Sequence, residues 1–474
     1  MDKGTFYVTS PIYYPNAQPH LGHAYTTLLC DVLTRYHKAL GDETYFLTGT
    51  DENSEKIIQA AEKVGEDPKE YLEEKVQRFK DLYQLLDIEY SQFIRTSDEK
   101  VHWPGAIEMW NRLAEAGDLY KSSYTGLYCV GHEAFLTEKE LDENGLCPDH
   151  GAAPEKITEE NWFFRLSKYA SELETLILEG KLPITPETRK NEVLSFLRSG
   201  VEDVSFSRPV EKMTWGIPVP GDDTQKMYVW MDALSNYITA LGFGRGEELM
   251  RFWPGTHLMA KDILRFHAVF WPAMLLSAKL PLPKQLFVHG TIISDGKKMS
   301  KTLGNVISPY EMVERYGKDA TRYLLLRHVH PFEDTDVTWE RLDEWYTANL
   351  VNGLGNLVAR VMQMAEKHLS GSVTLTNLTP TSNQIHLEEF NFQKACDTTW
   401  SLIGGLDGMI QVQKPFETIK TEPEKGRLQI SNLVQELGRI NKLLEPFMPD
   451  TYKSINSAIL TNKKPENLFP RLES

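Results

Sequence analysis

Residues 5–23 read TFYVTSPIYYPNAQPHLGH, and this stretch decides the fold of the N-terminal part of the chain. The β-branched and aromatic residues at 5–9 predict a buried strand, and the prolines between Pro11 and Pro19 predict a loop. Helical periodicity from His20 to His37 and a second apolar run, Thr44–Thr48, predict a helix followed by another strand. Strand, helix and parallel strand form a βαβ unit, the building block of a doubly wound sheet.

A second region of the same type lies at residues 251–327, where Gln285–His289 predicts a buried strand. Residues from 115 to about 215 contain short strands, cysteine and histidine pairs and many charges, which indicates a module inserted into one doubly wound sheet. Apolar residues recur at helical spacing from about residue 345 onward, which predicts a helical bundle. We therefore predict an α/β fold with a parallel, Rossmann-like catalytic domain in two halves (1–114 and 221–320), an inserted connective domain (115–220), a linking segment (321–345) and an α-helical bundle (346–474).

The sequence His20-Leu21-Gly22-His23 opens the first predicted helix, which is where a doubly wound fold binds nucleotides. Imidazoles at positions i and i+3 share one face of the first turn, so both can donate to triphosphate oxygens beside the positive end of the helix dipole. Gly22 lacks a side chain and leaves room for a purine against the backbone. Standing alone, two histidines at a helix start are more often packing residues.

The segment SDGKKMSKT spans residues 294–302 and follows the predicted strand at 285–289. Transfer of AMP to a carboxylate adds negative charge at the α-phosphate, and ammonium groups on a flexible loop can close over it. A Gly/Lys/Ser segment is by itself more often a solvated turn. The residues that we expect to bind ATP here are Lys298, Met299, Ser300 and Lys301, with the two lysines acting in catalysis.

The two signatures, in opposite halves of one predicted sheet, resemble those of class I aminoacyl-tRNA synthetases, although Thr302 stands where that family usually has serine. Three further segments resemble methionyl-tRNA synthetases: PIYYPN at 11–16, YVWMDALSNY at 228–237 and KDILRFH at 261–267. The resemblance implies that Asp51 holds the ammonium group of methionine. It also implies a thioether pocket formed by Ile12, Tyr14, Trp230, Ala233, Leu234, Tyr237, Ile263 and His267.

The reaction that this resemblance implies is activation of methionine by ATP with Mg²⁺, followed by transfer to the terminal adenosine of tRNA(Met). Methionine is unbranched and polarizable, so aromatic walls suit it better than a cavity shaped for β-branched side chains. These aromatic residues are plain core packing in the simpler interpretation. Synthetases for isoleucine, valine and leucine need a large editing domain because one methylene discriminates only about 10- to 200-fold, and the insertion of about 100 residues is too short for one.

Three other functions stay open on the residues alone. A synthetase for another apolar amino acid or for cysteine would share both nucleotide signatures. A non-catalytic RNA-binding paralogue would be expected to lack a signature histidine or the lid lysines, and all of these are present. A nucleotidylyltransferase would share the fold and the histidine motif, but the long helical C-terminal part argues against it.

Two C-x-x-H pairs, Cys129/His132 and Cys147/His150, are separated by 14 residues, which is a spacing typical of a structural zinc site. In the family that the chain resembles, the inserted domain often carries such a site with more cysteines, and some members have lost it. The alternative is a small β module that packs these residues without metal. We expect Zn²⁺ bound by these four side chains.

The C-terminal region presents Asn349, Asn352, Asn356 and Arg360 at spacings of three, four and four, so amide and guanidinium groups share one helix face. Such groups read splayed-out anticodon bases. The alternative is a solvated polar stripe. The resemblance implies anticodon contacts by Asn356 and Arg360, and by Phe416 where the family typically has tryptophan.

Composition limits the remaining possibilities. The chain has 474 residues, 41% of them apolar, and it contains neither an N-terminal leader pattern nor a run of eighteen apolar residues. Four scattered cysteines do not form a secreted disulfide framework, so we expect a soluble cytoplasmic protein without membrane contact. Since the chain ends without the oligonucleotide-binding extension that makes some similar proteins dimers, we expect a monomer.

Charge is distributed unevenly along the chain. The net charge of −16 belongs wholly to residues 1–350, because residues 351–474 contain 13 Lys and Arg against 13 Asp and Glu. Contact with a polyanion such as tRNA is therefore easier at the C-terminal end. An acidic half joined to a neutral one is also found in ordinary soluble enzymes.

Overall fold

The computed structural model describes residues 4–129, 134–136, 138, 141–148, 151–299, 305–375 and 384–472. Up to the end of the inserted region the elements are β1 (Thr5–Tyr13), α1 (Leu21–Leu40), β2 (Glu43–Thr50), α2 (Glu55–Val64), α3 (Pro68–Leu85), β3 (Gln92–Arg95), α4 (Trp103–Glu115), β4 (Leu119–Cys129), β5 (Ala134–Leu136), β6 (Glu155–Phe164), α5 (Ala170–Leu178), β7 (Ile184–Thr185), α6 (Glu187–Arg198), β8 (Val204–Ser205), β9 (Ser207–Pro209), β10 (Pro218–Val219) and β11 (Asp222–Met227).

The remaining elements are α7 (Val229–Thr239), β12 (Thr256–Ala260), a π-helix (Phe266–Phe270), α8 (Trp271–Ser277), β13 (Gln285–His289), β14 (Ile292–Ser294), β15 (Lys297–Lys298), α9 (Pro309–Tyr316), α10 (Lys318–His328), β16 (Thr335–Asp336), α11 (Trp339–Trp345), a second π-helix (Tyr346–Gly355), α12 (Asn356–His368), α13 (Gln384–Glu388), α14 (Phe392–Gln413), α15 (Pro415–Thr421), α16 (Pro423–Leu444) and α17 (Pro449–Thr461). Among the described residues the last strand ends at Asp336, and everything after it is helix or loop.

The main sheet has six strands in the order β3-β2-β1-β12-β13-β7, and every neighbouring pair is parallel. The central strands are covered on both faces, which is why they read as nearly continuous apolar and β-branched runs rather than as alternating patterns. The sheet confirms the predicted doubly wound α/β class. One strand, β7, comes from within residues 115–220, the range that the sequence analysis assigned to the insertion.

A crevice forms where the strand order reverses. β2 and β3 lie on one side of β1, and β12 and β13 lie on the other. Loops leaving the carboxyl ends of two such strands run in opposite directions, so ligands bind between them at that edge. The ladder between β1 and β2 shifts its register between Thr9 and Ile12, which is the pattern of a β-bulge near the carboxyl end of β1.

Residues 119–227 contain two small antiparallel sheets, β5-β4-β6-β8 and β10-β11-β9, so β11 lies just beyond the range 115–220 that the sequence analysis assigned to the insertion. The long hairpin of β4 and β6 runs in register from Leu119 opposite Phe164 to Tyr128 opposite Glu155. Near its far end, Cys129, Leu136 and Cys147 form a small buried cluster. The insertion therefore combines these antiparallel strands with α5, α6 and β7, the last of which joins the main sheet.

The helical C-terminal part shares one apolar core with the first half of the sheet. A buried ion pair crosses this core: the Nη2 atom of Arg322 on α10 lies 2.7 Å from the Oδ2 atom of Asp31 on α1, with both side chains fully buried. The guanidinium also donates to the carbonyls of Leu86, Pro446 and Phe447, each at 2.9 Å. No described helix has the length and apolar character that crossing a membrane requires.

Candidate active site at the carboxyl edge of the sheet

The two histidines of the first signature cap α1. Nδ1 of His20 accepts from the backbone N–H of Gly22 at 3.1 Å, and Nδ1 of His23 accepts from the backbone N–H of His20 at 3.2 Å. A neutral imidazole that accepts at Nδ1 carries its proton on Nε2. Both rings therefore carry their proton on Nε2, the ring nitrogen that does not bond to the helix backbone.

The two imidazoles are stacked, with ring centroids 3.7 Å apart. His20 is exposed, whereas His23 packs against Tyr13 at 4.5 Å and Phe79 at 5.3 Å between ring centroids. Burial, reinforced by the neighbouring His20, lowers the pKa of His23 well below its usual value. His23 is therefore neutral at physiological pH, so it offers hydrogen-bond donation rather than charge to a ligand.

Gly22 has a role that the motif alone did not reveal. A Cβ at this position would lie 3.0 Å from Cε1 and 3.1 Å from Nδ1 of His20. These distances are tighter than ordinary van der Waals contact. The missing side chain thus allows the His20 ring to fold back onto the first helical turn and accept from the backbone.

The second signature begins on a hairpin. β14 and β15 pair antiparallel, with Ile293 opposite Lys298, and Asp295 and Gly296 both have positive φ, 54° and 69°, as a tight two-residue turn requires. The Nδ2 atom of Asn305 donates to the carbonyl of Ser294 at 3.0 Å and closes the base of the loop. Ser300, Lys301 and Thr302 lie outside the described residues, as does the side chain of Lys298, so their predicted roles stay predictions.

The strand that leads into this hairpin is tied to α1. Nε2 of His289, the last residue of β13, lies 2.6 Å from Oγ1 of Thr26. Nδ1 of the same ring lies 2.7 Å from the carbonyl of Gly290 and must donate to it, so Thr26 donates to Nε2. The hairpin therefore starts beside the helix whose first turn carries the two histidines.

Asp51 directly follows β2 at the same edge of the sheet. Its backbone N–H donates to the carbonyl of Tyr13 at 3.0 Å, and Oγ1 of Thr96 donates to its Oδ1 at 3.5 Å. The residue is only 2% exposed. A buried carboxylate at the crevice is the group that a substrate ammonium needs.

Aromatic residues of α7 and the first π-helix lie next to one another. The rings of Trp230 and Phe266 stack at 3.8 Å between centroids with an interplanar angle of 3°. The hydroxyl of Tyr237 lies 2.6 Å from Nε2 of His267, whose Nδ1 donates to the carbonyl of Ile263 at 2.9 Å. Because Nδ1 carries the proton, Tyr237 donates to Nε2.

The other residues of the expected thioether pocket belong to the same region. Ala233 and Leu234 are buried on α7, while Ile12, Tyr14 and Ile263 are partly buried against the apolar core that contains α7. Desolvation by burial lowers the pKa of His267 to about 4. The pocket is therefore aromatic and uncharged at neutral pH, which suits a thioether.

We expect the stability of the protein to fall below pH 6.5. Burial lowers the pKa of His102 and of His328 to about 3, and that of His267 to about 4. Unfolded histidines titrate near 6.5, so between pH 6.5 and 4 the unfolded chain binds more protons than the folded chain and is stabilised relative to it. In this range each such histidine lowers the free energy of unfolding by about 1.4 kcal/mol for every unit by which the pH falls.

Urea unfolding measured from pH 7.5 to 5 checks this expectation. The variant His267→Gln removes one of the depressed groups while keeping a side chain that can accept from Tyr237. The free energy of unfolding of this variant should depend less steeply on pH, and the difference in slope should equal the contribution of one histidine. An unchanged slope would mean that His267 is protonated in the folded protein.

A buried polar cluster behind the pocket was missed by the sequence analysis. Nδ2 of Asn53 donates at 2.9 Å both to Oδ2 of Asp232 and to the carbonyl of Thr96. Nε2 of His102 lies 3.9 Å from Oδ1 of Asp232. Burial raises the pKa of Asp232 well above its usual value. Asp232 stands inside the quoted segment YVWMDALSNY, but only contacts across the fold reveal its partners.

The two described members of the cysteine and histidine pairs lie together. Cys129 is 2% exposed and Cys147 is fully buried, and both belong to the cluster at the end of the β4–β6 hairpin. The N–H of Gly151 donates to the carbonyl of Cys147 at 2.7 Å. His132 and His150 lie outside the described residues.

The polar residues expected to read the anticodon lie where the second π-helix meets α12. Asn352 and Asn356 are exposed, whereas Asn349 is partly buried, with Nδ2 at 3.5 Å from Nε2 of His328. Arg360 forms a 2.5 Å ion pair with Asp407 on α14. The π-helix has a longer turn than an α-helix, which shifts Asn349 away from the face that a regular helix would give it.

Phe416 lies at the start of α15 and is 41% exposed, so one side of its ring is free for contact. The preceding Lys414 has left-handed backbone angles, φ 42° and ψ 55°, which separate α14 from α15. The exposed Val412 lies near the end of α14, just before this turn. Both side chains are therefore exposed apolar residues on either side of this turn.

Comparisons with known proteins agree with one another. A family model described as "tRNA synthetases class I (M)" matches residues 6–156 and 144–362. The methionine--tRNA ligase of Caldanaerobacter subterraneus subsp. tengcongensis is 41% identical over 472 residues, which cover 96% of this chain and 73% of that protein. The methionine--tRNA ligase of Brucella suis biovar 1 is 37% identical, over 96% of this chain and 92% of that protein.

Solved structures give the same result. The chain is similar to Mycobacterium tuberculosis methionyl-tRNA synthetase in complex with methionyl-adenylate, with a TM-score of 0.89 and 34% sequence identity. That match covers 96% of this chain and 93% of the solved chain. The apo form of the same M. tuberculosis protein matches with a TM-score of 0.84 and 31% identity, over 100% of this chain and 99% of that chain.

Proposed function

The chain belongs to the methionyl-tRNA synthetases of class I, and from this membership we propose which of its residues carry out each part of the reaction. The enzyme activates methionine with ATP to methionyl-adenylate and transfers the methionyl group to tRNA(Met). In the first step a methionine carboxylate oxygen attacks the α-phosphorus, and the bond to the β-phosphate oxygen breaks, so that pyrophosphate leaves with Mg²⁺. In the second step the 2′-hydroxyl of the terminal adenosine attacks the adenylate carbonyl and AMP leaves.

The triphosphate binds at the N-terminus of α1 in this proposal. Nε2–H of His20 and of His23 donate to its oxygens, supported by the helix dipole. The lid lysines Lys298 and Lys301 neutralise the charge that develops on the α-phosphate, with Met299 and Ser300 completing the loop. No side-chain nucleophile is needed, because positioning and charge stabilisation supply the catalysis.

Methionine binds on the other side of the crevice, with its ammonium group on Asp51 and its side chain against Trp230, Tyr237 and His267. The observation that carries this assignment is the aromatic, uncharged pocket beside a buried carboxylate. Burial raises the pKa of Tyr237, and the charge of Asp51 adds a smaller contribution in the same direction, which supports a carboxylate near this tyrosine. The remaining pocket residues are Ile12, Tyr14, Ala233, Leu234 and Ile263.

Amino-acid-dependent ATP–pyrophosphate exchange, measured with each of the twenty amino acids, tests the assignment. Methionine is expected to support exchange far better than leucine, isoleucine, valine or cysteine. Replacement of Asp51 by asparagine should raise the KM for methionine much more than the KM for ATP. Preferred exchange with another amino acid, or an effect of Asp51→Asn on ATP alone, would contradict the proposed pocket.

We also assign the parts of the chain to domains. The catalytic domain is formed by residues 1–114 and 221–320, the connective domain by 115–220, the link by 321–345 and the anticodon-binding bundle by 346–474. Support comes from the parallel sheet, in which every strand except β7 lies in the two catalytic ranges, from the antiparallel sheets formed mainly by residues 115–220, and from the helices that follow Asp336. Cytoplasmic residence and a monomeric state complete the proposal.

A structural Zn²⁺ is proposed in the connective domain. Burial of Cys129 and Cys147 in one cluster supports a shared site, with His132 and His150 as the other ligands. Metal analysis of protein purified without a histidine tag should give about one zinc per chain. Folded, active protein without zinc would contradict the site.

Phe416 is proposed to stack on an anticodon base. Replacement by alanine should weaken tRNA charging by about 5- to 150-fold, because stacking on an aromatic ring contributes about 1–3 kcal/mol per base. Pyrophosphate exchange, which needs no tRNA, should stay unchanged. Leu460→Ala on α17, a residue that is 61% exposed, is a control for loss of apolar surface in the same bundle. Equal losses in charging and exchange would refute the role of Phe416.

A further inference from the structure

A cleft of about 370 Å³ lies beside the amino-acid site, and none of the roles assigned above uses it. We propose that this cleft, called here the tryptophan cleft, binds one nucleotide of the single-stranded 3′ end of tRNA during the transfer step. The residues that carry the argument are Asn53, Lys69, Arg95, Trp103, Trp215 and Lys226, all of which line the cleft. The inference rests on the tRNA-charging activity, and it concerns only the second half of the reaction.

The position of the cleft suits an incoming RNA end. Asn53 in its wall is two residues from Asp51, so the cleft adjoins the site proposed for the methionyl group. Arg95 ends β3, on the side of β1 away from β13 and the lid hairpin. A nucleotide chain entering here therefore reaches the adenylate without displacing the lid or the triphosphate-binding turn of α1. The volume is sufficient for about one nucleotide.

Two tryptophans from different parts of the chain form its walls. Trp103, the first residue of α4, is fixed by donation from Nε1 to the carbonyl of Thr96 at 3.0 Å. Trp215 belongs to the segment before β10 and packs against the apolar cluster of Ile57 and Leu72. Both side chains are partly exposed. Indole faces at a cleft of this size are the stacking platforms on which proteins hold single-stranded bases.

The charges in the cleft favour a single phosphodiester. Lys69 and Lys226 form no ion pair with another described residue, whereas Arg95 is held by Glu52 at 2.8 Å and by Glu73 at 2.6 Å. Three cationic and two acidic residues line the cleft, which leaves one excess positive charge. That balance of charge fits a nucleotide with one backbone phosphate better than a triphosphate. The ammonium groups of Lys69 and Lys226 are the proposed phosphate contacts.

Asn53 supplies an unsatisfied acceptor at the cleft. Its Nδ2 atom donates to Asp232 and Thr96, which fixes the orientation of the amide. Its Oδ1 atom is buried and has no hydrogen-bond partner among the described residues. A buried acceptor without a donor is destabilising. A ribose hydroxyl or an exocyclic amino group of the bound nucleotide can satisfy it.

The test compares intact tRNA(Met) with the same tRNA trimmed of its three 3′-terminal nucleotides. In the wild-type enzyme, trimming is expected to weaken tRNA binding by about 5- to 150-fold, the contribution of one stacked base. In Trp215→Leu, which keeps apolar packing but removes the indole, intact tRNA should bind about as weakly as trimmed tRNA. Single-turnover transfer from preformed adenylate should slow by a similar factor, with pyrophosphate exchange within twofold of wild type.

Two further variants make the result specific. Lys226→Gln leaves the packing of Trp215 in place and should also reduce the difference in affinity between intact and trimmed tRNA. Lys212→Gln, close to Trp215 in sequence but outside the cleft, should leave that difference unchanged. Phe416→Ala should weaken both tRNAs equally. The proposal is overturned if trimming weakens tRNA binding by the same factor in wild type and in Trp215→Leu. It is also overturned if both cleft variants lose pyrophosphate exchange. A rise in the KM for methionine instead would make the cleft part of the amino-acid site and would overturn it as well.

Discussion

Replacing His20 by asparagine is expected to slow methionyl-adenylate formation by about 10²- to 10³-fold, the usual effect of removing one preorganised donor to a developing charge. The reason is that the two ring nitrogens have different roles. Nδ1 accepts from the N–H of Gly22 and caps α1, whereas Nε2 carries the proton. Asparagine is among the best N-cap residues and can accept from the same N–H. It lacks a donor where Nε2 stands, so the variant should lose catalysis while α1 stays capped.

The comparison with His20→Ala separates the two roles. Alanine removes both the donor and the cap, so it should show a similar loss of rate together with a loss of about 0.5–2 kcal/mol in the free energy of unfolding. Pre-steady-state pyrophosphate exchange and urea unfolding measure the two quantities independently. If His20→Asn keeps the wild-type rate, or if it mainly raises the KM for methionine, then Nε2–H of His20 does not serve the triphosphate.

Replacing Arg322 by methionine is expected to lower the free energy of unfolding by about 3–5 kcal/mol, the range seen when one partner of a buried ion pair is removed. The change leaves the buried Asp31 with Arg35 as its only remaining ion-pair partner among the described residues. It also removes the donors to three buried carbonyls that come from α3 and from the turn before α17. Methionine has a similar length, so lost volume contributes little.

Arg315→Met is the matched control. Arg315 forms a bidentate pair with Asp343, at 2.8 and 2.6 Å, but its side chain is 44% exposed. Exposed pairs contribute about 0–1 kcal/mol. Urea unfolding of both variants should therefore differ by several kcal/mol, and similar losses would show that the Arg322 site admits water. Because Arg322 links α1 to the helical part, its loss is expected to let those two parts unfold in separate transitions.

Local patterns predicted much of the molecule. The strand, loop, helix and strand from Thr5 to Thr50 depend on side-chain periodicity and on proline, and both act within a few residues. The strand Gln285–His289 was predicted with its observed bounds for the same reason. By contrast, β7 has two residues and no alternation to detect, and only its pairing with β13 defines it.

The candidate site likewise has some features that local patterns predict and others that only tertiary contacts define. His20 could be predicted from its signature because such motifs combine nearby positions, whereas Asp51 was predicted only through the resemblance to a known family. The second π-helix could not be foreseen, since residue spacing carries no mark of an altered turn, and it moved Asn349 toward His328. The cluster of Asn53, His102 and Asp232 was missed for another reason: each member is an ordinary polar residue until the fold joins positions separated by 179 residues.

By itself, then, the sequence determined the class of the fold and the two nucleotide signatures, because these depend on short-range periodicity and on motif chemistry. It indicated the amino acid to be activated only through its resemblance to a known family. Tertiary structure alone decided which nitrogen of each histidine carries its proton, since that depends on the partner that each ring meets. It also decided where the tryptophan cleft opens, because Trp103 and Trp215 lie on separate elements. Hydrogen bonds and burial are set by atoms brought together from distant parts of the chain, and no local pattern encodes them.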